Sequence, residues 1–114
     1  MPFNMFSRSG QAPDPDVVDF GDLEEAVGSG AWTVVDVREP HEFAVGHIPG
    51  SINMPLSSFD AKELPRGTPV VLSCQAGGRS RNALNQARAA GRDDVKHYPG
   101  GLNGWRSHGG DVTL

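Results

Sequence analysis

The chain is poor in cysteine, in long apolar runs and in basic charge. Cys74 is the only cysteine among 114 residues, so no disulfide can form within the chain. No stretch approaches the roughly 20 apolar residues of a membrane-spanning helix, and residues 1–8 lack the charged-then-apolar order of a signal peptide. A net charge of −4 and a pI near 5.4 argue against a broad basic surface for nucleic acid. We therefore expect a soluble, cytoplasmic protein with no membrane or nucleic-acid partner.

The composition is that of one globular domain with a modest core, since 37% of residues are hydrophobic and 21% are charged. Residues 1–16 contain Pro2, Pro13 and Pro15 among Ser, Gly and Gln, which predicts a flexible lead-in. Residues 17–114 are predicted to form the folded domain.

Short apolar runs alternate with helical patterns along this domain. The predicted strands are 17–20, 32–37, 51–54, 70–74 and 95–98. The predicted helices are 22–27, 39–45, a weak one over 56–64, and 79–90, with only a short turn around Trp105. This alternation predicts an α/β fold with right-handed crossovers and a small, mainly parallel sheet flanked by helices.

Cys74 stands where the most apolar of these strands ends. A glycine-containing segment and then a helix follow it, and ligands of parallel sheets gather at the carboxyl ends of strands. Backbone N–H groups and the positive end of the helix should therefore face the sulfur and lower its pKa. A lone cysteine is more often a small buried hydrophobe, but the local charge pattern favours a nucleophile.

That pattern is a cationic stretch inside an acidic chain. Between Gln75 and Arg92 there is no acidic residue but there are four arginines, which suggests an anionic sulfur or substrate. Only Arg79 and Arg81 are close enough in sequence to act there, whereas Arg88 and Arg92 are expected on a solvated helix face.

Three segments in a particular order carry a family resemblance. They are Val35 to Glu39 with Glu42-Phe43 and Gly46 to Pro55; Cys74 to Ser80; and Gly100-Gly101 with Gly104-Trp105. Over most of residues 17–105 the chain resembles a single-domain rhodanese, the sulfurtransferase homology domain. The resemblance implies a three-layer rhodanese-like fold.

It also implies an enzyme that moves sulfane sulfur through a Cys74 persulfide. The implied donor is a small molecule such as thiosulfate, and the acceptor is a thiol or cyanide, with a protein donor or acceptor as a further option. The loop that would cradle the persulfide consists of Gln75, Ala76, Gly77, Gly78, Arg79 and Ser80. Arg79 is expected to fix the loop or to meet an anionic donor. Ser80 is expected to cap the next helix or to donate a hydroxyl bond towards the sulfur.

Rhodaneses that favour thiosulfate often carry a basic residue early in this loop, whereas Gln75 and Ala76 are uncharged. We therefore expect thiosulfate to load Cys74 with weak apparent affinity.

Other functions remain open. A non-catalytic sulfur carrier or persulfide-binding module would load the same cysteine. A cysteine-dependent phosphatase is disfavoured by spacing, because four residues separate Cys74 from Arg79 and six separate it from Arg81, where those enzymes have five. An arsenate reductase would need a second, resolving cysteine.

Four further residues are candidates for supporting roles. Asp36 and Arg38 are expected to form a buried ion pair beneath the loop. His47 is expected to stabilise its turn, and Trp105 to wall the pocket or pack under the C-terminal turn. Phe43, Met54 and Trp105 could offer an apolar rim to a protein partner. His41, His97 and His108 have no ligand spacing, so no metal and no cofactor are expected.

Overall fold

The computed structural model describes residues 14–114. The predicted lead-in therefore lies outside the described residues except for its last three. Those three already run beside the domain, because the backbone N–H of His97 donates to the carbonyl of Asp16 at 2.9 Å. The division of the chain at residue 17 stays a prediction.

The centre of the domain is a parallel sheet of four strands. They are β1 (Thr33–Asp36), β2 (Ile52–Asn53), β3 (Val70–Ser73) and β4 (Val95–His97), in the spatial order β2-β1-β3-β4. Every pairing is parallel, so all carboxyl ends lie at one edge. β3 is buried along its whole length, and Cys74 follows it at that edge.

Helices cover both faces of the sheet. They are α1 (Phe20–Ser29), α2 (Pro40–Ala44), α3 (Gly78–Ala89) and α4 (Gly101–Ser107), with 3-10 turns at Leu56–Ser58 and Ala61–Glu63. Alternate strand residues point to opposite faces, and two clusters result. One joins Val35 and Leu72 to α3 and the second 3-10 turn. The other joins Val34 and Val71 to α1 and α4. The predicted three-layer α/β fold is confirmed.

Three local predictions were wrong. Residues 17–20 contribute only a single bridge between Val17 and His97, because the Asp19 side chain caps α1, accepting from the N–H of Asp22 at 2.8 Å. The weak helix over 56–64 is interrupted by extended backbone at Phe59 and Asp60. The turn around Trp105 is the helix α4.

Across the described part of the chain, no helix combines the length and the apolar character needed to cross a membrane.

Candidate active site

The segment from Cys74 to Ser80 folds into a tight loop between β3 and α3. Its sharpest point is Gly77, whose φ of 103° is a left-handed conformation that favours glycine. A Cβ at this position would also collide with the carbonyl oxygen of Pro99. A Cβ at Gly78, the first residue of α3, would meet no atom within 4 Å. The loop therefore requires glycine at 77 but not at 78.

This loop directs hydrogen-bond donors at the sulfur of Cys74. The backbone N–H groups of Gly77 and Ser80 donate to Sγ at 3.1 Å and 3.3 Å, and the Ser80 hydroxyl lies 3.6 Å from it. Burial raises the pKa of the thiol. The hydrogen bonds from the Ser80 hydroxyl and from the N–H groups of Ser80, Gly77 and Ala76 outweigh burial, so the net pKa is below its ordinary value. The site favours a thiolate.

Arg79 forms a bidentate ion pair with Glu42 of α2. Its two terminal nitrogens donate to the carboxylate at 2.7 Å and 3.0 Å. The hydrogen bond from Arg79 is the main reason that the pKa of Glu42 falls from 4.5 to about 2. Glu42 in turn raises the pKa of Arg79, with a smaller contribution from the Cys74 charge. The arginine beside the sulfur is thus already neutralised by a carboxylate.

Asp36 and Arg38 form the predicted buried ion pair, with 4% and 2% of their surfaces exposed. Asp36 accepts from the backbone N–H, Nε and Nη2 of Arg38 at 2.8–3.1 Å. Arg38 also donates to the carbonyl of Gly46 at 2.7 Å and to Oε1 of Gln75 at 3.2 Å. The ion pair therefore ties β1, the turn after α2 and the loop together.

The start of α4 closes the other side of the loop. The backbone N–H groups of Leu102 and Asn103 donate to the carbonyls of Cys74 and Gln75 at 2.8 Å and 3.1 Å. The Gln75 side chain donates to Oδ1 of Asn103 at 2.6 Å. Gly101, with a φ of 61°, has no room for a Cβ against the Gln75 backbone. This close docking explains a helix that its two glycines, Gly101 and Gly104, would not favour alone.

Ser80 does not cap α3. The N-cap is Gly77, so Ser80 lies within the first turn of the helix. Its hydroxyl lies 3.1 Å from the Gly77 carbonyl and 2.9 Å from Nδ1 of His97. Of the two roles expected for Ser80, only a contact with the sulfur fits this position.

Two of the supporting candidates lie away from the sulfur. The ring of His47 stacks on Phe43 with centroids 3.6 Å apart, and its Nδ1 is 2.8 Å from the Phe43 carbonyl, which fits a turn-stabilising role. Trp105 packs in the cluster under α1 and α4 and donates to the carbonyl of Asp111 at 2.6 Å. Trp105 is therefore a core residue rather than a wall of the site.

The remaining arginines of the cationic stretch serve the scaffold. Arg81 and Arg88 pair with Asp16 at 3.7 Å and 2.9 Å. Arg92 was wrongly expected in solvent. It is 4% exposed, pairs with Asp94 and donates to the carbonyls of Leu64 and Pro65. Arg79 is thus the arginine of this stretch that belongs to the loop.

Sequence reasoning missed two residues of the site, Glu42 and His97. Glu42 had one sequence signal, its spacing of three from Glu39 at the start of α2, which forms a capping box. That signal explains the helix but not the contact with Arg79. His97 is buried on β4 and contacts the Ser80 hydroxyl. No pattern in the sequence predicts that contact.

Between residues 14 and 114, no three His, Cys, Asp or Glu side chains lie close enough together to hold a metal ion.

A family model described as the rhodanese-like domain matches residues 19–108. This range contains every residue of the site described above. A solved rhodanese-related protein from Thermoplasma volcanium superposes with a TM-score of 0.77 and 34% identity, covering 86% of this chain and 97% of that one.

Two curated relatives align over most of the chain. An uncharacterised protein of Synechocystis is 42% identical over 89 residues, which are 76% of this chain and 50% of the relative. The chain thus spans only half of that protein's length. A thiosulfate:glutathione sulfurtransferase of Saccharomyces cerevisiae is 37% identical over 109 residues, covering 81% of this chain and 78% of the relative.

Proposed function

The chain belongs to the rhodanese-like domain family, and on that premise we propose that it is a sulfurtransferase whose Cys74 carries sulfur as a persulfide. The observation that carries this proposal is the pair of backbone N–H groups, from Gly77 and Ser80, that donate to Sγ at 3.1 Å and 3.3 Å. They favour a thiolate over a thiol, and the thiolate is the nucleophilic form of cysteine.

In the first half-reaction the Cys74 thiolate attacks the outer sulfur of thiosulfate. A sulfur–sulfur bond forms on Sγ, the sulfur–sulfur bond of thiosulfate breaks, and sulfite leaves with the electron pair. In the second half-reaction the acceptor, a thiolate or cyanide, attacks the outer sulfur of the persulfide. A bond forms between the acceptor and the outer sulfur, the sulfur–sulfur bond of the persulfide breaks, and its electron pair returns to Sγ, so that Cys74 becomes a thiolate again. The cycle balances without an external oxidant or reductant.

The loop supplies what these steps demand. Negative charge lies on sulfur throughout, and preorganised N–H donors stabilise it without rearrangement. Ala76, Gly77, Gly78 and Ser80 give the loop only small side chains at four of its six positions, and the side chains of Gln75 and Arg79 are engaged with Asn103 and Glu42. Arg79 is held in place by Glu42, so its first role is to fix the loop on α2.

The choice of donor follows from the charge around the loop. Thiosulfate is a dianion, but Gln75 and Ala76 carry no charge and Arg79 is paired with Glu42. We infer that thiosulfate serves as a donor with weak apparent affinity. The yeast relative is named for transfer from thiosulfate to glutathione, and a small thiol of that kind is the acceptor we propose first.

A protein donor or acceptor remains part of the proposal. Of the three residues expected to form an apolar rim, Trp105 is buried in the core. Phe43 is half-buried against His47, and Met54 packs on the cluster that contains Cys74. Phe43 and Met54 are the two that a partner's side chain could touch.

The test is intact mass after incubation with thiosulfate, followed by cyanide, with Cys74→Ala as the control. We expect the wild type to gain one sulfur atom and to lose it to cyanide as thiocyanate, while the variant does neither. Steady-state turnover with glutathione then separates an enzyme from a carrier, because a carrier would load sulfur without cycling. If neither thiosulfate nor other sulfane donors load Cys74, the proposed function is wrong.

A further inference from the structure

Oγ of Ser80 lies among three possible hydrogen-bond partners. They are Sγ of Cys74 at 3.6 Å, the carbonyl oxygen of Gly77 at 3.1 Å and Nδ1 of His97 at 2.9 Å. Ser80 and His97 are buried, with 0% and 2% of their surfaces exposed. A serine hydroxyl has one hydrogen, so it can donate to only one of these partners at a time.

The tautomer of His97 decides whether the ring competes for that hydrogen. If Nδ1 carries a proton, it donates to Oγ, and the hydroxyl hydrogen goes to Sγ or to the Gly77 carbonyl. The Cys74 thiolate is charged and is therefore the stronger acceptor of the two. If Nδ1 carries none, the hydroxyl donates to the ring instead, and Sγ loses one of its donors. The two tautomers of a neutral imidazole therefore have opposite effects on the sulfur.

The surroundings of His97 favour a neutral ring. Burial lowers the pKa of His97, and the positive charge of Arg81 on α3 lowers it further, against a smaller opposing effect of Asp14 and Asp16. Both carboxylates lie on the segment before α1, and Asp16 is itself paired with Arg81 and Arg88. A neutral ring has one proton to place. Nε2 has no hydrogen-bond partner within residues 14–114, whereas a proton on Nδ1 has Oγ as its acceptor.

We propose that His97 is a positioning residue for the sulfur: its Nδ1–H donates to Ser80 Oγ and thereby directs the Ser80 hydroxyl at Sγ of Cys74. His97 neither touches the sulfur nor exchanges a proton in this arrangement. The inference rests on the proposed function for its role in transfer, because the same hydroxyl would then stabilise the persulfide. Its effect on thiol ionisation is measurable without any sulfur donor.

The variants that test it are His97→Leu, which removes the ring donor, and His97→Asn, which keeps an amide N–H near the position of Nδ1. The measurement is the pH dependence of thiolate absorbance, with Cys74→Ser as the blank. At pH values below the pKa of Cys74, we expect His97→Leu to reduce the fraction of thiolate about two- to fivefold, which is the effect of one lost hydrogen bond in a small network. His97→Asn should restore most of it.

A double-variant cycle tests whether His97 acts through Ser80. In a Ser80→Ala background, His97→Leu should leave the Cys74 pKa unchanged, because the hydroxyl between them is gone. The proposal is overturned if His97→Leu leaves the pKa of Cys74 unchanged or lowers it in the wild-type background. A shift that persists in the Ser80→Ala background overturns it as well.

A measurement on the unaltered protein covers the case in which His97→Leu does not fold. The nitrogen-15 shifts of the His97 ring report which nitrogen carries the proton. Protonated Nδ1 is expected, and protonated Nε2 would refute the proposal. Failure of Cys74 to accept sulfur would refute the proposed function but would leave the tautomer and the thiol pKa readable.

Discussion

Arg79 and Glu42 face each other across 37 residues of sequence in a bidentate ion pair, with N–O distances of 2.7 Å and 3.0 Å. The pair joins the loop after β3 to α2. Because Glu42 compensates the charge of Arg79, an anion that approaches Cys74 meets less positive charge than the sequence alone suggests. The position of the loop depends on this carboxylate and so, under the proposed function, does the affinity for an anionic sulfur donor.

Glu42→Gln should improve the use of thiosulfate. Without the carboxylate, Arg79 is free to meet the dianion, and we expect KM for thiosulfate to fall about two- to fivefold, the range of an exposed ion pair. Steady-state kinetics at constant ionic strength measure it. In the double variant Glu42→Gln with Arg79→Gln the gain should vanish. A KM that is equal or higher in the single variant would contradict this account.

The same pair predicts a stability change at acid pH. The pKa of Glu42 in the folded protein, about 2, is below the ordinary 4.5, so its contribution is complete above 4.5 and is lost as pH falls through about 2. Above that window we expect the ion pair to contribute about 1 kcal/mol to the free energy of unfolding, since Arg79 is partly exposed and solvent screens the pair. The free energies of unfolding of wild type and Glu42→Gln, measured in urea, should therefore become equal as the pH falls towards about 2.

Glu24→Gln is the control for that experiment, because Glu24 is an exposed carboxylate on the surface of α1. Its unfolding curves should follow the wild type at every pH. Equal behaviour of the two variants would show that the ion pair with Arg79 contributes nothing specific.

Gly77→Ala and Gly78→Ala are a matched pair for the loop. At 77 the added methyl meets both a φ of 103° and the Pro99 carbonyl, so we expect a loss of at least about 2 kcal/mol in the free energy of unfolding. At 78 the space is open, and a change within about 0.5 kcal/mol is expected. Chemical denaturation measures both. Similar losses at the two positions would be the contrary result.

Asp36→Asn should be among the most destabilising single changes in this region. It leaves the buried guanidinium of Arg38 without its carboxylate, at a cost of about 3 kcal/mol. Asp94→Asn offers the comparison, since the Asp94 side chain is 46% exposed and Arg92 keeps the carbonyls of Leu64 and Pro65. Thermal unfolding should show a much smaller loss of stability for Asp94→Asn than for Asp36→Asn. A larger loss for Asp94→Asn would contradict the proposed support of the loop by Arg38.

The sequence predicted what is determined locally. β3 follows from an apolar run, and the loop after it from glycines followed by a helix, so the position of Cys74 at the edge of the sheet was predictable. The contacts of Arg79 with Glu42 and of Ser80 with His97 were not, because they join residues 37 and 17 apart in sequence. Only the docking of whole elements brings such residues together.

The prediction also failed where tertiary contacts override local preference. Two glycines within α4 argue against a helix. The helix forms nevertheless, because N–H groups of its first turn bond to the carbonyls of Cys74 and Gln75. The segment 56–64 carries a helical pattern, but extended backbone at Phe59 and Asp60 divides it into two short turns.

The bonds from Leu102 and Asn103 to the Cys74 and Gln75 carbonyls also bear on biosynthesis. A ribosome adds residues from the amino end, so the cysteine emerges before the helix that completes its surroundings. Until residue 103 has left the exit tunnel, the nascent chain carries a thiol without its finished cradle. The surroundings of this sulfur are therefore completed only when the start of α4 has emerged, well after the cysteine itself.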